Sequence, residues 1–300
     1  MLEFTISGVE TYWWLPLITA FIVSVFCSIG GISGAFFLLP FQVSVLGFSG
    51  PGVSPTNMVF NLVAIPSGVY RFWKEKRMVW PLAWATMIGT LPGVFLGAFI
   101  RINCLPNPRY FKLFVAVVLT YIGTRMFIDF FKPQKTEAKK SAGENFTVQN
   151  PRFNLKLVSY NFRCEDYSTP TWGILLLSFI VGVIGGTYGI GGGAIIAPFF
   201  VSFFKLPVHT IAGASLFGTF VTSLAGVLFY TAIAPLYAHT GMVIQPDWYL
   251  GGLFGLGGLF GIYLGARIQK FVPARAIKAI IALIILTVVI KYVWEFFAPA

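Results

Sequence analysis

The sequence predicts an all-α integral membrane protein made of two homologous, glycine-interrupted halves, and three observations carry that reading. Of the 300 residues, 57% are hydrophobic and only 10% charged, with a mean hydropathy of +0.80, whereas a soluble domain runs near 45–50% apolar and about 25% charged. Apolar stretches of the roughly 20 residues needed to cross a bilayer recur from Trp13 to the C-terminus. Finally, FIVSVFCSIGGISGAFFLLPFQVS, starting at Phe21, aligns without a gap on FIVGVIGGTYGIGGGAIIAPFFVS, starting at Phe179. A duplicated, Gly-interrupted hydrophobic unit is the pattern of transporters built from two structural repeats.

The opening MLEFTISGVE lacks the basic region of a cleavable signal peptide and is expected to remain. Apolar segments then fall at about residues 12–29, 34–48, 53–70, 79–100 and 111–131, and again at about 172–188, 191–205, 210–230, 249–268 and 277–297. That is about ten segments, roughly five per half, the second of each half being short. Residues 1–131 form the first repeat and 171–300 the second. Between them, residues 132–170 are the one strongly polar stretch and read as a solvated connector. Its first part resembles a disordered linker, and RFNLKLVSYNFRC alternates as a short β-hairpin would.

The alignment register continues past the glycines. It places Asn57 on Ser215 and Asn61 on Thr219, and, after a longer loop, GTLPGVFLGAFI from Gly89 on GGLFGIYLGARI from Gly257. An odd number of segments per half turns the halves upside down relative to each other. Charges agree in part: Arg71, Lys74, Lys76 and Arg77 crowd one loop, while the aligned loop, residues 231–247, has no Lys or Arg. Since basic loops face the cytoplasm, the connector is placed inside and both termini outside. Arg101, Arg109 and Lys112 would then lie on the outer side, against the rule.

The glycines at 189–193 and near 31–34 require their own explanation. In hydrocarbon an unpaired backbone group costs several kcal/mol, so a broken helix persists only where protein or a wet cavity surrounds it. Glycine eases the break through positive φ and lets a ligand approach the backbone. A helix restarting after such a break presents free N–H groups and a positive dipole end, an anion site. Gly93/Gly97 and Gly261/Gly265, four residues apart, read instead as close-packed helix seams.

These motifs, with NLVAIPSGVYRFWKEKRMVW after the first and LGARIQKFVPARAIKAI near the end, resemble the TauE/SafE family of sulfite exporters, also called the toluene sulfonate uptake permease family. The resemblance covers almost the whole chain. It implies movement of sulfite, thiosulfate or small organosulfonates, in the export direction, across a bacterial-type plasma membrane. One departure is that the first copy reads GGISGA where the second reads GIGGGA.

Candidate anion-binding residues are Gly31, Ser33 and Gly34 at the first break, Gly189, Gly191, Gly192 and Gly193 at the second, and the polar side chains of Asn57, Asn61, Ser215, Thr219 and Thr222 set in apolar segments. Arg71 and Arg125 are expected to reach the lipid headgroups. His209 and His239 read as solvent-exposed, and Cys27 as a buried structural thiol. Cys104 and Cys164, like Cys27, have no metal-ligand spacing. Every Asp and Glu falls in a loop or near a segment end, leaving no carboxylate placed to carry a coupling proton. No cofactor, metal, catalysis or nucleic-acid partner is expected; membrane lipids are, and the oligomeric state stays open, a homodimer included. Two rivals remain: an anion channel or scaffold, and an intramembrane serine protease, since Gly31–Gly34 reads GxSG.

Overall fold

The computed structural model describes residues 2–29, 33–48, 50–131, 147–162, 165–193, 195–268, 286, 288–294 and 296–297. The chain opens with a hairpin, β1 (Leu2–Phe4) and β2 (Val9–Thr11), that the sequence reading missed. Helices α1 (Trp14–Ile29), α2 (Ala35–Ser44), α3 (Val53–Lys74), α4 (Trp80–Asn103) and α5 (Pro108–Phe131) follow. The connector holds β3 (Val148–Phe153), β4 (Leu157–Phe162) and β5 (Glu165–Pro170). After it come α6 (Thr171–Tyr188), α7 (Ile196–Phe204), α8 (Val208–Ile233), a 3-10 turn (Ala234–Thr240) and α9 (Trp248–Ile268). Four stretches, Trp80–Asn103, Thr171–Tyr188, Thr210–Thr240 and Trp248–Ile268, are long and apolar enough to cross a membrane. The protein is therefore a mostly helical, multi-pass membrane protein.

Contacts define two ends. At the hairpin end, Ser7 bonds Asp247 just before α9, Gly52 N donates to Val243 O at 2.9 Å, and Arg109 donates to Phe296 O at 2.7 Å. At the connector end, Val148 N donates to Lys76 O at 3.0 Å and Tyr160 shares a 2.8 Å hydrogen bond with Thr210. Helix α1 leaves the hairpin end, the chain breaks, and α2 returns it to the loop at Gly50 on the same end. Helix α6 leaves the connector end, and after its break α7 brings Phe204 back against Gly173. In each half the helix after the break thus runs back toward the end that the helix before it left.

The most extensive helix contacts pair α4 with α6 and α1 with α9. In the first, a Cβ on Gly89, Gly93 or Gly97 would come closer than 3.0 Å to the carbonyl oxygens of Leu175, Phe179 and Val183. In the second, Gly257, Gly261 and Gly265 stand in the same way on Leu17, Phe21 and Val25. Backbones meeting this closely gain dispersion and Cα–H···O contacts, which drive helix association where lipid removes the hydrophobic term. Helix α3 carries too many polar groups to face lipid. Its residues from Val53 to Asn61 are all buried, between α8 and α9.

The connector forms more than the expected hairpin. Strand β5 adds a third antiparallel strand to β3–β4, because Leu157–Phe162 alternates burial and its inner residues Val158, Tyr160 and Phe162 pack onto the helical body. Its first part, residues 132–146, lies outside the described residues. The basic residues at the α4–α5 end contact the protein. Arg101 is buried, Arg109 bonds Phe296 O, and the Lys112 ammonium sits 5.9 Å from the Tyr292 ring centre.

Candidate functional site

The second break begins where α6 meets Gly189, whose φ of +83° closes the helix; Gly189 N and Ile190 N both donate to Gly185 O, at 2.9 and 3.0 Å. Gly191 follows at φ +79°, a second position where an L side chain is strained. The four glycines also press on neighbouring backbone or side chains. Added Cβ atoms would meet Ser54 at Gly189, Ser223 and Thr219 at Gly191, Thr90 at Gly192, and Ser215 O and Thr219 N at Gly193, each closer than 3.0 Å. The break therefore lies against one face of α8, formed by Ser215, Thr219, Thr222 and Ser223.

Those hydroxyls are committed unequally. Thr222 Oγ1 accepts from Gly192 N at 3.0 Å while donating to Gly218 O, and Thr219 Oγ1 donates to Ser215 O at 2.8 Å. Ser215 Oγ is buried and has no hydrogen-bond partner among the described residues. The N–H groups of Gly191 and Gly193 likewise have none among those residues. Three donors, two of backbone and one of side chain, thus stand open in a buried polar corner where an unmet group is costly.

The first break is held differently. Gly31 lies outside the described residues. Ser33 Oγ donates to Asn61 Oδ1 at 2.7 Å and accepts from Ala35 N at 3.3 Å, and no base touches it among the described residues. Gly34, at φ −60°, sits against the Ser24 side chain. Asn57 Nδ2 donates to Ala35 O at 2.9 Å and to Gly189 O at 3.0 Å, and Asn61 Nδ2 to Ile190 O at 2.9 Å and Ser223 Oγ at 3.0 Å. Tyr188 Oη closes the same junction by donating to Phe36 O at 3.0 Å. The two breaks are brought together, with both asparagines spanning them. Their amide protons are spent on the carbonyls of Ala35, Gly189 and Ile190 and on Ser223 Oγ, so the face of the break left uncommitted is the one toward α8.

Gln42 was missed by sequence reasoning. Its Nε2 donates to Asn57 Oδ1 at 3.2 Å and its Oε1 is buried without a partner among the described residues. The signal was a single glutamine inside an apolar helix, aligned with Phe200 in the other half. Arg71 pairs with Glu75 at 2.5 Å at the end of α3, Cys27 is buried, and Cys104 and His239 are exposed. Cys164 and the side chains of Arg125 and His209 lie outside the described set. No group of His, Cys, Asp and Glu that would hold a metal occurs among the described residues.

At the hairpin end, Ile6, Ser7, Gly47, Gly50, Pro51 and Val243 help to line a cleft of about 350 Å³. The Arg101 guanidinium lies behind it, fully buried and 3.7 Å from the Phe111 ring centre.

Residues 16–292 match the family model described as "Sulfite exporter TauE/SafE". The chain is 23% identical over 268 residues to "Probable membrane transporter protein YjnA" of Bacillus subtilis (strain 168), covering 88% of this chain and 92% of that one. It is 21% identical over 237 residues to "Probable membrane transporter protein YunE" of the same organism, covering 76% of each. A shorter stretch, 31% identical over 101 residues, matches "Probable membrane transporter protein YdhB" of that organism and spans 34% of this chain and 37% of the relative's length. No solved structure matches the chain.

Proposed function

Because the chain belongs to the TauE/SafE sulfite exporter family, a family of membrane transporters and not enzymes, we propose that it moves sulfite, thiosulfate or a small organosulfonate outward across a bacterial-type plasma membrane. The observation that carries this is the open donor set at the second break: Gly191 N–H, Gly193 N–H and Ser215 Oγ, buried together and unmatched among the described residues. A sulfur oxyanion offers several acceptor oxygens to such donors. The restarting helix α7 adds the positive end of its dipole.

The architecture is read as two inverted repeats. Support comes from the seams: Leu175, Phe179 and Val183 align with Leu17, Phe21 and Val25 in the sequence register, and each triplet meets the aligned glycines of the other half. Helices α1 and α6 start from opposite ends, as inversion requires. The two breaks meet through Asn57 and Asn61, which supports reading them as the interface between repeats, where such transporters bind substrate. The connector is placed in the cytoplasm, the hairpin end outside.

Export needs no coupling ion in this reading. The described carboxylates Glu3, Glu10, Glu75, Glu165, Asp166 and Asp247 lie in the hairpin, the sheet, turns or the start of α9. An interior-negative potential favours exit of an anion by about 2.3 kcal/mol per elementary charge per 100 mV. The test is flux in proteoliposomes with the potential clamped and no proton or sodium gradient, across sulfite, thiosulfate, organosulfonates, sulfate and chloride. Potential-dependent movement of a sulfur oxyanion is expected. Flux that waits for a cation gradient overturns the uncoupled mechanism, and flux of none of them returns the chain to a scaffold.

A further inference from the structure

Arg101 is among the largest fully buried side chains of the described residues, and its acceptors among those residues are neutral: Ser54 Oγ at 3.4 Å, Gly50 O at 3.3 Å and Leu105 O. Three of its five N–H groups serve those bonds. The ion pairs among the described residues join Glu75 to Arg71 and Arg77. Asp247, the buried carboxylate at this end, is taken by Ser7 N, Ser7 Oγ and Leu250 N, while Glu3 and Glu10 are exposed on the hairpin. A buried cation without a counter-charge costs several kcal/mol unless something anionic visits it.

Two more donors face the same point. Tyr230 is fully buried, lies close enough to Arg101 to interact with its charge, and turns its hydroxyl toward Ser54 without a hydrogen bond of normal geometry. Ser54 Oγ accepts from Arg101 Nε, so its own proton is free to turn toward Tyr230 Oη or toward a ligand. Ser54 belongs to the first turn of α3, so the positive end of that helix dipole points here too. The cluster is rich in donors and positive charge and lacks an anionic acceptor among the described residues.

We propose that Arg101, Ser54 and Tyr230 form a second oxyanion site, where a small sulfur oxyanion or sulfonate pauses between the hairpin-end cleft and the broken helices; this rests on the anion-transport reading above. Placement agrees with that role. On one side, Arg101 holds Gly50, which lines the cleft. On the other, Ser54 touches Gly189 and lies one turn of α3 from Asn57, which bonds Gly189 O. In the sequence register Ser54 and Tyr230 fall on Ala212 and Phe72, so the aligned positions at the connector end lack both hydroxyls. The site belongs to one mouth only, and it biases the anion toward that side. A plain staple, Arg101 closing the end of α4 through Leu105 O, would affect stability without any dependence on anions.

The test uses the full chain in nanodiscs and proteoliposomes, with sulfite and thiosulfate as probes and chloride at equal ionic strength as control. Thermal stabilisation by each anion gives apparent affinity, and flux is followed in parallel. Tyr230→Phe keeps the ring and the anion-free midpoint, and is expected to weaken oxyanion affinity about tenfold, the effect of one hydrogen bond to a charged ligand. Arg101→Lys keeps the charge but loses the fork and is expected to weaken it further. Wild-type affinity and half-saturation in Tyr230→Phe, with flux intact, overturn the site while leaving the transport reading standing. A wild-type protein that neither binds nor moves either oxyanion overturns both. If Arg101→Lys does not fold, Tyr230→Phe alone decides.

Discussion

Where residues 33–35 interrupt the first half, polar side chains fill the gap; where residues 189–193 interrupt the second, glycines lie bare against α8. In the first half Ser33 bonds Asn61 and Gln42 bonds Asn57, and these two asparagines cross to Ile190 and Gly189; the aligned counterparts of Ser33, Gln42 and Asn57 in the second half are Gly191, Phe200 and Ser215. Two aligned interruptions have thus taken separate duties. One is crossed by the amides that satisfy carbonyls in both, and the other leaves the N–H groups of Gly191 and Gly193 and the Ser215 hydroxyl without a partner among the described residues. A buried polar junction can expose donors to a ligand only if its remaining groups are satisfied by something rigid.

The largest effect should come from adding one methyl group to each break. Gly189→Ala meets the Ser54 backbone and a φ of +83°, and is expected to cost more than about 3 kcal/mol and abolish the folded peak in detergent size exclusion. Gly34→Ala has an ordinary φ of −60° and meets mainly the Ser24 hydroxyl at 2.6 Å. Its expected cost is about 1 kcal/mol, visible as a small drop in thermal midpoint; equal losses in the two variants would remove the distinction.

Next come the aligned polar residues. Asn57→Leu strips Ala35 O and Gly189 O of their donor and should lower stability by about 2–4 kcal/mol. Ser215→Ala deletes a hydroxyl that bonds nothing described, so its midpoint should hold while apparent sulfite affinity falls about tenfold. A Ser215→Ala protein with unchanged affinity would move the anion site away from α8.

The smallest effect concerns how each half fixes its third helix. Gly52, at the start of α3, is held by Val243 O, whereas the aligned Thr210 in α8 is held by Tyr160 of the connector sheet. Burial pushes the Tyr160 phenol up to about 12, with the Thr210 bond opposing. The folded sheet prefers the protonated phenol, so its docking is at full strength below about pH 10, the ordinary tyrosine value, and weakens as pH rises from there to about 12. Limited proteolysis of the connector should accelerate across that window and lose its pH dependence in Tyr160→Phe.

Much of the architecture was legible because membranes impose simple rules. Apolar runs marked α4, α6, α8 and α9, and glycines spaced by four marked the seams. The helix break at 189–193 followed from helix-averse residues where helix is otherwise obligatory. The N-terminal hairpin and β5 were not legible, since three-residue strands and a polar six-residue strand carry too little periodicity. Nor was the role of Arg101. A basic residue near a segment end reads as an orientation signal, and only its contacts with Phe111, Ser54 and Gly50 show it buried.

What the sequence determined alone was the class and the internal likeness: hydropathy requires a bilayer, and an alignment between halves needs no coordinates. What only the tertiary structure decided was which polar groups meet. Asn57 and Gly189 lie 132 residues apart, and local pattern cannot tell whether an amide closes a carbonyl or faces a ligand. That distinction depends on donors and acceptors brought within about 3 Å by helices from both halves, which is a property of packing.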